Sequence, residues 1–117
     1  MLPVNPVESS AFRVIGRLRA MRAFERRHLH HLRTLEDRDL VCEIGYHQSR
    51  HRPLTLKQIY RLHAGSVATV QRQMRRLRHE GCIRQARSER DHRTLEFTLS
   101  PKLLEIFDQY GALLAAP

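Results

Sequence analysis

The spacing of apolar residues changes from a helical to a strand period at Gly81, and that change limits the folds open to this chain. Before Gly81, Val70, Met74 and Leu77 recur at steps of four and three, the spacing of one helical face. After it, Leu95, Phe97 and Leu99 alternate with Thr94, Glu96 and Thr98, a strand with one buried face. A glycine at that junction suits a helix that ends in a left-handed residue. "CIRQAR", Cys82 to Arg87, is the expected partner strand, and "SERDHR", Ser88 to Arg93, the loop of the hairpin. A helix delivering the chain straight into a short hairpin needs other helices to cover the remaining apolar faces.

Those helices can be read upstream and downstream. The first nine residues carry two prolines and are expected to be extended. From Ser10 an amphipathic helix is expected to run to about residue 33. Ala11, Ile15, Leu18, Met21, Phe24, Leu29 and Leu32 lie on one side, with a gap in register around Glu25 and His28. Arg13, Arg17, Arg22, Arg26 and Arg27 lie on the other. "TLED", Thr34 to Asp37, reads as a capping box that starts a second helix with Leu40, Val41 and Ile44 inward. "SRHRP" ends it at Pro53. "TLKQ", Thr55 to Gln58, is a second capping box. It opens a short helix with Leu56, Ile59 and Leu62 inward, ending near Ala64 and Gly65. Ser66 caps the next helix. Ser100 followed by Pro101 opens the last one, whose apolar face carries Leu103, Ile106, Phe107, Tyr110, Leu113 and Leu114. The expected class is mainly α with a small β-hairpin wing, a winged helix-turn-helix.

At 117 residues with 41% hydrophobic content, the chain suits one domain with a real core. We divide it into an N-terminal helix over 10–33, a winged-helix core over 34–100 and a C-terminal helix over 101–117. Formal net charge is +9, which points to a polyanionic partner. The excess is placed, not scattered. From Ser66 to Arg93 there are eight arginines and three acidic residues, a net of +5. No apolar run reaches the roughly 20 residues of a membrane helix, and no secretory signal is evident, so a cytoplasmic location is expected. Two cysteines do not make a disulfide framework.

The segment "LTLKQIYRLHAGSVATVQRQMRRLRHEGCIRQARSERDHRTLEFTLSP", Leu54 to Pro101, resembles the MarR-like winged helix-turn-helix transcriptional regulators. The resemblance rests on the leucine-rich short helix and on Ser66, Thr69, Val70, Arg72, Leu77, Gly81 and Ile83. It extends to Asp91 and Arg93, two apart, and to "TLSP" after the second strand. It implies a homodimeric regulator, a repressor, that joins through its first and last helices and reads an inverted-repeat operator in double-stranded DNA. It also implies that Asp91 braces the wing arginines.

Physical chemistry assigns the reading surface. Affinity for a duplex comes largely from cations on phosphates, and sequence is read at base edges. Backbone N–H groups at the start of the Ser66 helix can hold one phosphate. Val67 and Ala68 stand at that start. Thr69 and Gln71 are short polar groups within reach of bases. Arg72 and Arg75 are long enough for bidentate contact with guanine or for phosphate. Arg87, Arg90 and Arg93 would approach the backbone or the minor groove from the wing. Arg76, Arg78 and Arg84 read as solvated charges.

Other readings compete. A winged helix can be a protein-interaction module with no DNA site. A regulator can respond to metal, for which His28 and His31 stand three apart, with His47 and His51 a second pair. A redox response would need Cys42, which reads better as a buried apolar side chain, while Cys82 packs under the wing. A membrane-surface role for the basic first helix is the outlying reading. No phosphate loop, nucleophile triad or paired carboxylates suggests an enzyme, and no cofactor or metal is expected. A small-molecule effector, if there is one, would bind between the reading head and the dimerising helices. The sequence names none.

Overall fold

The computed structural model describes residues 9–63 and 65–115. The expected extended start and the turn at Ala64 lie outside the described residues. Five helices and three short strands follow in the order α1 (Ser10–His28), α2 (Leu35–Ser49), β1 (Leu54–Thr55), α3 (Leu56–Leu62), α4 (Val67–His79), β2 (Ile83–Arg87), β3 (Leu95–Leu99) and α5 (Pro101–Ala115). They form two compact units. One is α1 with the later part of α5. The other runs from His31 to Glu105.

In the first unit α1 stops at His28, short of the expected residue 33. The five-residue step from Phe24 to Leu29 breaks the helical register. Leu29 and Leu32 are buried, but beyond the helix. The Phe24 ring meets His28 at 4.6 Å and Tyr110 at 4.8 Å, both tilted, and the Tyr110 hydroxyl donates to Glu25 at 3.2 Å. Arg17 Nη1 donates to the Leu114 carbonyl at 2.7 Å. Phe12, Val14, Ile15 and Leu18 of α1, with Leu113 and Leu114 of α5, remain exposed.

The second unit holds a continuous core. Val41, Ile44, Ile59, Val70, Leu77 and Phe97 are fully or almost fully buried. Each such side chain removed from water contributes roughly 1.5–3 kcal/mol. Thr34 caps α2 by accepting the Asp37 N–H at 3.1 Å. The expected capping box is only half made, because the Asp37 side chain turns elsewhere. At Thr55 both halves form: Gln58 N–H to Thr55 Oγ1 at 3.3 Å and Thr55 N–H to Gln58 Oε1 at 2.9 Å. Leu54 and Thr55 also make the strand β1, although in the sequence Thr55 carries only the signal of a helix start. It pairs antiparallel with β3, Leu54 opposite Phe97, and β3 pairs with β2, Ile83 opposite Leu99. The sheet order is therefore β1-β3-β2.

Two contacts seat α2 on the sheet. Gln48 Oε1 accepts the Leu99 N–H at 2.7 Å. A Cβ at Gly45 would lie 2.8 Å from Leu99 Cδ1, so glycine lets the helix approach. Both α2 and α4 end in the same double hydrogen bond. His51 N–H reaches Gln48 O at 3.0 Å and Arg52 N–H reaches His47 O at 3.0 Å. Gly81 N–H reaches Arg78 O at 3.1 Å and Cys82 N–H reaches Leu77 O at 2.9 Å. This closure needs a left-handed residue. Gly81 supplies it at φ 78°, and at the end of α2 His51 must supply it at φ 59°.

Two inward assignments fail. Leu62 is 53% exposed, because α3 ends at that residue and its last turn leaves the core. Cys42 is exposed, because the buried stripe of α2 runs through Asp37, Leu40, Val41 and Ile44 and puts Cys42 on the far side.

Candidate nucleic-acid interface

The first turn of α4 is built by its cap. Ser66 Oγ accepts the Thr69 N–H at 3.2 Å, and the two hydroxyls lie 2.9 Å apart. Arg72 Nη2 approaches Thr69 Oγ1 at 3.5 Å from one turn on. Because Val70, Gln73, Met74 and Leu77 face the core, the other side of the helix is turned outward. Ser66, Val67, Ala68, Thr69, Gln71, Arg72 and Arg75 are all exposed on it. This short surface has backbone donors at one end and two guanidinium groups behind them.

The wing forms a second basic surface. The Arg87 guanidinium is held by the His92 carbonyl at 2.8 Å, inside the hairpin loop. Asp91 Oδ1 accepts the Arg93 N–H at 3.0 Å and lies 3.5 Å from Arg93 Nε, while Asp91 Oδ2 accepts the Thr94 hydroxyl at 3.3 Å. Asp91 thus orders the turn and reaches Arg93. The Arg93 side chain stays 94% exposed. Arg90 is exposed, its backbone N–H tied to Ser88 Oγ at 3.2 Å.

Cavities show which groups meet. Arg87 and Arg90 border one of about 810 Å³ with His47, Gln48 and Arg52 at the end of α2. Arg93 borders another of about 640 Å³ with Lys57 and Tyr60 of α3. Neither includes a residue of α4. Arg52 and Lys57 extend the wing patch and were missed in the sequence, where nothing marks them as neighbours of the hairpin.

Arg76 is the chief correction. Read as a solvated charge, it turns inward and meets Asp37, which is 1% exposed. Arg76 Nη2 lies 2.6 Å from Asp37 Oδ1 and 2.7 Å from Oδ2, and its Nη1 donates to the His31 carbonyl at 3.2 Å. Asp37 also accepts from Gln73 Nε2 at 3.0 Å and from the Arg33 N–H at 2.9 Å. Burial pushes the Asp37 carboxyl up, but the Arg76, Gln73 and Arg33 hydrogen bonds and the Arg76 charge outweigh it and hold the group below its ordinary value. Glu80 adds an outer ion pair with Arg33 at 2.8 Å. A signal for Gln73 was present: it stands three after Val70 in the same i, i+3, i+4, i+7 pattern.

The two histidine pairs fare differently. With α1 ending at His28, His31 does not continue its helical face. His51 lies past the end of α2 and borders the same cavity as His47. Burial, reinforced by the Glu80 charge, pushes the Cys82 thiol above its ordinary value. No helix among the described residues is long and apolar enough to cross a membrane.

No family model and no curated protein matches the sequence. Solved structures do match. S. aureus MepR in complex with DNA aligns with 91% of this chain and 83% of its own at 20% identity and a TM-score of 0.63. MarR aligns with 86% of this chain and 72% of its own at 20% identity and a TM-score of 0.56. The PcaV transcriptional regulator of Streptomyces coelicolor aligns with 98% of this chain and 79% of its own at 14% identity and a TM-score of 0.53. At such identities the likeness is one of fold. The fold is the MarR-type winged helix: five helices and a small antiparallel three-stranded sheet.

Proposed function

We propose that this chain is a sequence-specific DNA-binding transcriptional regulator, a repressor that acts as a homodimer. The observation that carries the reading is the outward face of α4. Its apolar stripe is consumed by the core, and the remaining side presents Ser66, Val67, Ala68, Thr69, Gln71, Arg72 and Arg75 together. Such a helix enters a major groove, with Thr69, Gln71 and Arg72 at base edges and the first-turn N–H groups on a phosphate. Arg87, Arg90 and Arg93 take the flanking backbone or minor groove, with Asp91 ordering the wing. A DNA complex of MepR, a protein of the same fold, supports the reading.

The exposed apolar side chains of α1 and α5 support pairing of two copies through these helices, with residues 34–100 as the reading head. Two α4 helices then meet successive major grooves about 34 Å apart, and the operator is an inverted repeat. The test is fluorescence anisotropy with the duplex upstream of the chain's own coding sequence and a scrambled duplex, across a salt series. Preferred binding to the first with a steep salt slope is expected. No binding to either at low salt overturns the reading.

A further inference from the structure

The front of α4 is less polar than its residue types suggest. Ser66 Oγ accepts the Thr69 N–H at 3.2 Å and lies 2.9 Å from Thr69 Oγ1, so the two hydroxyls are engaged with each other. Arg72 Nη2 approaches the same threonine oxygen at 3.5 Å. What the first turn presents outward is hydrocarbon. Val67 is 54% exposed, and Ala68 is exposed beside it. Gly65 places no side chain over the Thr69 methyl, from which a Cβ there would lie 3.7 Å.

These apolar groups are not used by the core, whose first residue on this helix is Val70. Ala68 leads the outward side: Arg72 and Arg75 follow it at steps of four and three, so the three share one face. A β-branched valine is a poor choice for helix propensity. Ser66 already caps the turn, so local structure gives no reason for Val67. Apolar surface left in water contributes only when a partner covers it.

In a major groove the base edges differ in their hydrogen-bonding groups and in one apolar group, the C5-methyl of thymine. We propose that Val67 and Ala68 cover a thymine methyl in each half-site of the operator. The front of α4 then selects thymine by its methyl group, while Gln71, Arg72 and Arg75 meet polar groups. This inference rests on the DNA-binding reading and adds to it the base that the first turn recognises. Uracil keeps the hydrogen-bonding groups of thymine and lacks only the methyl. Exchanging the two leaves the phosphates and the polar edges of both grooves unchanged, so it isolates this contact from those of the arginines.

For the test, duplexes are selected from a random pool with the full chain. The strongest binder is then made twice, once with thymine and once with uracil throughout. Burying one methyl changes affinity about fourfold, or about 0.8 kcal/mol, and one in each of two half-sites about fifteenfold. By fluorescence anisotropy the chain should bind the thymine duplex roughly fivefold or more tighter than the uracil duplex. The Val67→Ser/Ala68→Ser variant should bind the two within about twofold of each other. Both substitutions lie at exposed positions. The two duplexes are compared on the same protein, so any change in its folded fraction cancels. Equal binding of the two duplexes by the unaltered chain overturns the proposal and leaves the DNA-binding reading standing. So does a variant that keeps the full preference for thymine. A pool from which no duplex is enriched overturns both.

Discussion

Asp37 at the start of α2 holds Arg76 in the later half of α4, with both carboxylate oxygens within 2.7 Å of one guanidinium nitrogen. Together with the buried stripe of Val70, Met74 and Leu77, it turns Arg76 inward and leaves Gln71, Arg72 and Arg75 outward. Removing one member of a buried pair typically costs about 3–5 kcal/mol. Here Arg76 keeps 27% of its side chain exposed and has Glu80 at 3.7 Å as a second partner. The expected loss for Asp37→Ala is therefore lower, about 2–4 kcal/mol, read by urea denaturation.

The same pair gives the stability a pH dependence. The carboxyl of Asp37 lies below its ordinary value of 3.8 in the folded chain. Its contribution is fully present above that ordinary value and is lost as pH falls below about 4 through the folded value. Denaturation midpoints measured from mildly acidic pH downward should fall across that window. Asp37→Asn, which cannot ionise, should start lower and show a shallower decline.

Arg72→Ala should cost about 1–3 kcal/mol of operator affinity and relax sequence preference, as for a bidentate base contact. Unchanged anisotropy would remove Arg72 from the reading face. Arg90→Ala should weaken own and scrambled duplexes alike and flatten the salt slope by about one unit.

The left-handed ends of α2 and α4 make opposite predictions. His51 holds a β-carbon at φ 59°, and Gly81 has none at φ 78°. His51→Gly relieves that strain and should stabilise by about 0.5–1 kcal/mol. Gly81→Ala introduces it and should destabilise by a similar amount or more. Thermal midpoints of the two variants check both signs.

Much of the fold was legible because its signals are local. Ser66, the Thr55 to Gln58 box, Ser100 with Pro101, and Gly81 each act on residues within one turn, so sequence spacing alone places them. What depended on tertiary partners was not. Leu62 and Cys42 have the right residue type for a core, but α3 ends too early for one and α2 is phased against the other. β1 needs β3 as its partner, and two residues carry no period. Asp37 has the form of a capping-box acid, and Arg76 that of one more surface arginine. Only the approach of α2 to α4, across 39 residues of sequence, shows that each is the other's counter-charge. The exposed face of α4 followed from its buried one, so that surface was legible, whereas the groove that α2 and α3 form beside it was not.

β2 is an outer strand of the sheet, and residues 84 to 87 are exposed along it. An outer strand offers its free backbone groups to any other extended chain, which is how soluble domains begin to aggregate. Arg84 and Arg87 stand on that edge. Like charges there oppose the pairing of one such edge with another, so the same arginines that face outward from the hairpin also guard its open edge.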